Sequence, residues 1–392
     1  MDINIDFPSR GHGYDREDVK IIEEIIYDND ISLSKGKYVQ MFEEKFSKLI
    51  GVDSYTTMSC AHSLDIAAML IETNVNDEII IPAHTYCASA LSFARYNASI
   101  KWADIDMDSL TISLESIKRL VTPKTKAIVV VHLYGLICPE IEKIVKYATQ
   151  KNIIVIEDCA QSLGAYINNK SCGSFGDISC FSFHSQKNIT TFGEGGMISV
   201  KSKKHSKLVA SYRHNGHQPF ENQEKYWLPA MTDVKLLNND YLPFKSTISE
   251  IQGAIGYKLM DKLDDFTKKR RALSEKIRHS LEKIPELSFQ KFSIKESHSH
   301  HLMPVKIHSN IWDRDDLISK LFNDYKIKCV IQYYPLNRYD LFEKLNYEST
   351  DLKNTDHFFD NMLSLPFSIT LSNKQVDYII ESVHKSIREL NS

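Results

Sequence analysis

The chain reads as an α/β protein, a three-layer domain whose mostly parallel sheet is covered by helices on both faces, and three observations predict this. From about residue 54 short β-branched runs alternate with stretches of helical spacing, the pattern of parallel crossovers. Runs such as Ile128-Val129-Val130-Val131 are apolar without alternation, which suits strands buried on both faces. A length of 392 residues is too great for one small core and suits a large domain with a smaller companion.

Candidate strands fall at 54–58, 78–81, 100–103, 127–132, 153–157, 178–183 and 197–201, with helices at 63–72, 113–120 and 140–150 between them. Polar ligands of such a sheet belong at the carboxyl ends of its strands. Near Thr247 the texture changes to one long helical pattern, about 247–283, apolar at Ile251, Ile255, Leu259 and Leu263. Its basic run Lys268-Lys269-Arg270-Arg271 reads as a solvated helix face. Two further strands (300–307 and 328–332) and a terminal helix (374–390) complete a smaller α+β unit. The expected division is 1–257 and 258–392, joined by the long helix, with the first 20 or so residues free to pack elsewhere.

Hydrophobic residues make up 42% and charged residues 25%, with a formal net charge of −3, so composition gives no reason to expect nucleic-acid or anionic-membrane partners. The start, Met1 to Asp6, has neither the basic residues nor the apolar run of a signal peptide, and no uncharged stretch reaches the roughly 18 residues that span a bilayer. Seven scattered cysteines with no C-x-x-C pair suggest reduced thiols rather than a disulfide frame or a zinc site, and hence a cytoplasmic protein.

Chemistry concentrates in 154–200. One strand ends in Glu157-Asp158-Cys159-Ala160-Gln161, and another in Ser182-Phe183-His184-Ser185-Gln186-Lys187-Asn188, followed by a Gly193-Glu194-Gly195-Gly196 turn. An acid and a lysine past the ends of neighbouring strands are what pyridoxal phosphate catalysis needs. The lysine holds the aldehyde as a Schiff base, and the carboxylate keeps the pyridine nitrogen protonated so that the ring accepts electrons. Released by substrate, the same lysine can carry the proton between substrate and cofactor carbons. Taken alone, an Asp158 at a strand end and a Lys187 in a loop are more often a surface ion pair.

The whole pattern, E-D-C-A-Q followed by F-S-F-H-S-Q-K-N-I-T-T-F-G-E-G-G, closely resembles the DegT/DnrJ/EryC1/StrS family of sugar aminotransferases, fold-type I pyridoxal phosphate enzymes. Thr57-Met58-Ser59-Cys60-Ala61-His62-Ser63-Leu64 sits at the family's phosphate turn, Pro82-Ala83-His84-Thr85-Tyr86 at its P-x-x-T-aromatic segment, His132-Leu133-Tyr134-Gly135 at its H-x-x-G strand end, and Ile248-Ser249-Glu250-Ile251-Gln252 at its M-s-e-i-q helix. The resemblance covers roughly residues 20–385.

It implies that Lys187 and Asp158 are catalytic. Backbone N–H groups of Ala61 and His62 would hold the cofactor phosphate at a helix start. Tyr86 would stack on the ring, Gln161 would meet the ring hydroxyl and Ser182 the phosphate; a core aromatic and a strand-end cap are the bland alternatives. His184, Asn188 and Tyr334 are candidate substrate contacts, with a structural histidine the alternative for His184. The chain departs from the family twice. Ala61 and His62 replace a threonine and a small residue, and Lys245 stands where relatives carry the asparagine that reaches the partner subunit's cofactor in a homodimer.

The implied reaction moves an amino group from L-glutamate, through pyridoxamine phosphate, onto a nucleotide-linked keto-sugar for surface-polysaccharide or amino-sugar synthesis. F-S-F-H leans to a 4-keto-6-deoxyhexose, whereas several members acting at C3 read F-S-F-Y. A 3-keto sugar, a non-nucleotide ketone and a non-catalytic cofactor-binding regulator stay open. Lys187 speaks against the dehydrating relatives, which have histidine there.

Overall fold

The computed structural model describes residues 4–34, 36–216, 241–345, 347 and 351–392. The strands of the larger part are β1 (Asp53–Thr57), β2 (Glu78–Pro82), β3 (Ser99–Ala103), β4 (Thr125–Val131), β5 (Ile154–Asp158), the small hairpin β6 (Tyr166–Ile167) and β7 (Lys170–Ser171), β8 (Ile178–Ser182) and β9 (Gly196–Val200). Seven of them form one sheet in the order β1-β9-β8-β5-β4-β2-β3. Only β9 runs against the others, pairing antiparallel with both β1 and β8. The seven strands expected from the sequence are all present, each within two residues of its expected ends.

Helices α1 (Arg16–Tyr27), α2 (Lys37–Ile50), α3 (Cys60–Leu70), α4 (Ala88–Ala94), α5 (Leu114–Leu120), α6 (Ile141–Gln150), α7 (Lys203–Tyr212) and α8 (Glu250–Leu259) surround this sheet. Its two faces bury alternate residues of the same strands. Ile79, Ile81, Val129 and Val131 pack with Leu64 and Met69 of α3 on one side. Ile80, Ile128 and Val130 pack with Phe42, Ile144 and Ile255 on the other. The unbroken apolar runs follow from that two-sided burial.

The S-E-I-Q segment is a double cap. Ser249 and Gln252 close a capping box on α8. The buried Glu250 carboxylate accepts the free N–H groups of Gly36 (3.0 Å), Tyr38 (2.5 Å) and Val39 (3.3 Å), and so caps α2. A Cβ on Gly36 would lie 2.6 Å from that carboxyl group, so a side chain there would have to displace the cap.

The single helix expected over 247–283 is two helices. A 3-10 turn, Met260–Lys262, separates α8 from α9 (Leu263–Leu281). Lys262 leaves the helix line there to pair with Asp15 (2.7 Å) and Asp18 (2.6 Å) at the start of α1, while the apolar stripe runs on unbroken through Leu259 and Leu263. The basic run on α9 is not wholly solvated either. Arg270 is buried, its guanidinium bonded to the carbonyls of Gly11 (2.6 Å), His300 (3.3 Å) and His301 (3.4 Å), and burial pulls its pKa to about 10.

The smaller unit holds β10 (Leu287–Phe289), β11 (Met303–Ile307) and β12 (Met362–Leu365), antiparallel in that order, with α10 (Arg314–Tyr325), α11 (Asp340–Lys344), α12 (Lys353–Asp360) and α13 (Asn373–Leu390). The strand expected at 328–332 is only a bridge between Val330 and Ser364. Ile5 joins this unit's core beside Ile327, so the N-terminal segment crosses the molecule before α1 begins. Among the described residues no helix is long and apolar enough to cross a membrane, and all seven cysteines are free.

Candidate active site

The carboxyl ends of β1, β5 and β8 converge with the first turns of α3 and α4. Asp158 ends β5 and is buried, yet both carboxylate oxygens have donors. The Ser89 hydroxyl in α4 donates to Oδ2 at 2.7 Å, and the Ala160 N–H donates to Oδ1 at 3.1 Å. Two donors therefore hold the carboxyl group in one orientation, as a group that must face a cationic ring nitrogen requires.

Lys187 lies in a tight turn beyond β8, its N–H donating to the His184 carbonyl at 2.8 Å. Among the described residues its ammonium makes no hydrogen bond and no ion pair. Burial pulls its pKa down, and the neighbouring Cys60, Asp158 and Glu194 partly offset this. A half-desolvated, unbonded amine is the form that attacks an aldehyde. The Cys60 thiol is held well above its usual range by burial, so it is a neutral neighbour.

The phosphate end is built from backbone. Ser59 caps α3 by accepting the His62 N–H at 3.2 Å, and it also meets His62 Nδ1 at 3.0 Å. The two N–H groups without an acceptor among the described residues are therefore those of Cys60 and Ala61, not Ala61 and His62 as the sequence suggested. The His62 ring leans on Phe244 at 5.5 Å. A Cβ on Gly196 would come within 2.4 Å of the Ser59 carbonyl carbon, so the glycine ending G-E-G-G lets β9 carry this turn. A free pair of N–H groups at a helix start, an aimed carboxylate and an unbonded lysine together fit pyridoxal phosphate.

The remaining expected residues separate. Gln161 faces the site, its Nε2 donating to the Tyr333 hydroxyl at 2.8 Å and its Oε1 accepting from the Tyr134 N–H at 2.7 Å. Tyr86 is 58% exposed at the mouth, edge-on to Tyr333 at 6.1 Å. Ser182 ends β8, with its Oγ accepting from the His184 N–H at 3.3 Å. His184 reaches toward Glu194 at 3.9 Å.

Asn188 is buried, its Nδ2 donating to the Leu163 carbonyl (3.1 Å) and its Oδ1 meeting His301 Nδ1 (3.3 Å), so its amide ties the lysine turn to the chain behind it. Tyr334 turns away to Tyr339 and Phe359, and it is Tyr333 that enters the site. Lys245 is exposed beside Ser246, whose hydroxyl accepts the Met58 N–H at 3.0 Å, next to this chain's own phosphate turn.

Ser89, Cys60 and Tyr333 were not singled out from sequence. Ser89 lies one helical turn past Thr85-Tyr86, and Tyr333 had an equally plausible neighbour. The glutamate of E-D-C-A-Q is structural. Glu157 takes the N–H groups of Gly173 (2.9 Å), Phe175 (2.8 Å) and Gly176 (2.5 Å), and a hydrogen bond from His132 Nε2 at 2.8 Å. His132 Nδ1 accepts the Cys138 N–H at 3.1 Å, so of the neighbouring His132, Glu157 and Cys159 the first two are already engaged with protein donors.

The fold and this set of groups define a fold-type I pyridoxal phosphate enzyme. The model of the DegT/DnrJ/EryC1/StrS aminotransferase family matches residues 14–384, and the chain belongs to that family. It is similar to GDP-perosamine synthase of Escherichia coli O157:H7, 31% identical over 353 residues, which are 90% of this chain and 91% of that one. It is also similar to the dTDP-3-amino-3,6-dideoxy-alpha-D-galactopyranose transaminase of Aneurinibacillus thermoaerophilus, 29% identical over 359 residues, 89% of this chain and 90% of the other. Among solved structures, Helicobacter pylori PseC, an aminotransferase involved in the biosynthesis of pseudoaminic acid, superposes with a TM-score of 0.87 at 24% identity, covering 98% of this chain and 99% of its own. The protein is a pyridoxal phosphate-dependent sugar aminotransferase.

Proposed function

We propose that the enzyme transfers an amino group from L-glutamate to a nucleotide-linked 4-keto-6-deoxyhexose, working as a homodimer in the cytoplasm. The observation that carries the reading is Lys187, unbonded and half-desolvated beside the aimed carboxylate of Asp158. Pyridoxal phosphate, when bound, supplies the electron sink that makes the proton next to the amine acidic. The chain does the rest. Asp158 fixes the ring's charge, the first turn of α3 holds the phosphate, and Lys187 gives and takes the proton at the reacting carbon. Tyr86 and Tyr333 wall the site on the side where a sugar enters.

The preference for C4 rests on His184 within F-S-F-H and on the similarity to GDP-perosamine synthase. A 3-keto acceptor is the second reading, supported by the similarity to the 3-amino-galactopyranose transaminase. Exposed Lys245, adjoining the phosphate turn, is the residue we assign to an anion contact across the dimer interface, as a point charge in place of a directed amide.

Two experiments test this. The purified protein with pyridoxal phosphate should show an absorbance band at the visible edge that shifts with glutamate and is missing in Lys187→Ala. A colourless parent in excess cofactor would end the reading. A panel of nucleotide-linked 3-keto and 4-keto sugars, scored for amine by mass, then separates the acceptors; amine from the 3-keto members alone overturns the C4 assignment.

A further inference from the structure

Lys187 lines a cavity of about 30 Å³, the room of a single water, with Arg10, His301, Gln332 and Tyr333 among its other walls. Among the described residues that line it, Lys187 and Arg10 are the two with an amine or guanidinium side chain. His301 is not a third cation, because burial first, and then Lys187 and Arg270, push its pKa well below the usual range. Asn188 fixes its tautomer as well: the Asn188 Nδ2 is spent on the Leu163 carbonyl, so its Oδ1 accepts from His301 Nδ1.

Arg10 stands on a segment that is firmly held. The Gly11 N–H donates to the Ser185 carbonyl (2.9 Å), Gln186 Nε2 to the Pro8 carbonyl (3.2 Å), Ser368 Oγ to the Arg10 carbonyl (3.0 Å) and Arg270 to the Gly11 carbonyl (2.6 Å). Gly11 presses on the Lys187 backbone so closely that a Cβ would lie 1.9 Å from the Lys187 carbonyl oxygen. The backbone of Arg10 is thus locked to the lysine loop, while its side chain is exposed and its guanidinium has no hydrogen bond or ion pair among the described residues.

We propose that Arg10 holds the α-carboxylate of the amino donor at the mouth of the Lys187 cavity. This rests on the aminotransferase reading and deepens it. A guanidinium fork matches a carboxylate in two parallel hydrogen bonds, and among the described residues no other lysine or arginine lines the cavity with Lys187. Distance along the substrate decides which anion it serves. The α-carboxylate is attached directly to the carbon whose amine reacts, whereas the diphosphate of a nucleotide-linked sugar is separated from a ring ketone by the sugar ring and the anomeric oxygen. A cation sharing one small cavity wall with Lys187 suits the first.

The test compares L-glutamate with 4-aminobutyrate, which keeps the amine and the distal carboxylate but lacks the α-carboxylate. Each is titrated into the cofactor-loaded enzyme, and the apparent Kd is read from the absorbance change. The parent should prefer glutamate by about tenfold or more, the usual scale of a charge-assisted pair. Arg10→Ala should abolish that preference with cofactor occupancy unchanged, and Arg10→Lys should restore part of it. General damage to the fold would weaken both amines alike and leave the ratio intact, so an Arg10→Ala enzyme that keeps the parent's preference overturns the assignment. A parent that responds to neither amine overturns the aminotransferase reading itself, which is a separate result.

Discussion

Substituting Ser89 by alanine isolates what holds the catalytic carboxylate. Ser89 is fully buried and donates its proton to Asp158 Oδ2 at 2.7 Å, while Oδ1 keeps its bond from the Ala160 N–H at 3.1 Å. Asp158 is 5% exposed, so water does not readily replace the lost donor. A hydrogen bond to a charged group contributes about 1.5–3 kcal/mol, and leaving a buried acceptor unpaired costs a similar amount. Ser89→Ala should therefore lose about 1.5–3 kcal/mol in urea unfolding of the cofactor-free protein. Because the same carboxylate also loses its aim, affinity for pyridoxal phosphate should fall about tenfold for each 1.4 kcal/mol of misplaced interaction. Combining the variant with Asp158→Asn in a double-mutant cycle separates the bond from general packing. A coupling energy above roughly 1 kcal/mol is expected for partners in direct contact. Additivity within about 0.3 kcal/mol would refute the claim that Ser89 positions Asp158.

Gly11→Ala drives a methyl into the Lys187 carbonyl at 1.9 Å, so it should cost about 1–3 kcal/mol and slow amine transfer, since the lysine turn must give way; unfolding midpoints and single-turnover spectra check this. Tyr333→Phe removes the hydroxyl that meets Gln161 at 2.8 Å and should cost about 0.5–1.5 kcal/mol with a matching loss of cofactor affinity. Tyr334→Phe, on an exposed ring facing away, should stay within about 0.5 kcal/mol of the parent. Burial lowers the pKa of His84 and of His300 from 6.5 to about 3, so the unfolded chain binds protons there that the folded chain refuses. Their contribution is present above pH 6.5 and is lost as pH falls toward 3. Between these limits each histidine adds about 1.4 kcal/mol of stability per pH unit gained, and replacing either by glutamine should flatten the measured slope by about that amount.

What the sequence disclosed follows the range over which its signals act. Strands β2, β4, β5, β8 and β9 were legible because each carries its own run of residues buried on both faces, while the edge strands β1 and β3 show alternating burial. Asp158 and Lys187 were legible only within the whole run from E-D-C-A-Q to G-E-G-G, because a strand-end acid and a loop lysine by themselves look like a surface ion pair. The break between α8 and α9 was not, since the apolar stripe continues through it and its cause is Lys262 reaching Asp15 and Asp18, far away in sequence. Arg270 looked like part of a solvated run for the same reason: its three acceptors are carbonyls of Gly11, His300 and His301. Tyr333 and Tyr334 cannot be told apart by residue type, and only packing of the latter against Tyr339 and Phe359 decides which one meets Gln161.

The same distinction explains why the phosphate turn tolerates unusual side chains. Its threonine is replaced by Ala61, yet what the turn presents is the backbone N–H groups of Cys60 and Ala61 at the positive end of a helix, and these survive any side chain that allows the helix to start there. The start itself depends on Ser59, whose hydroxyl takes the His62 N–H at 3.2 Å, and on Gly196, which leaves β9 room to pass within contact of Ser59. His62 then acts on the cap, bonding Ser59 at 3.0 Å, and on Phe244 beyond it. The segment holding Phe244, Lys245 and Ser246 is tied back to Met58 by the Ser246 hydroxyl. The two departures from the family pattern, at 61–62 and at 245, are therefore neighbours in space on one small surface beside the turn. On the proposed function, the backbone N–H groups of Cys60 and Ala61 carry the phosphate contact without the threonine hydroxyl, and exposed Lys245 beside them is free to meet an anion across the dimer interface.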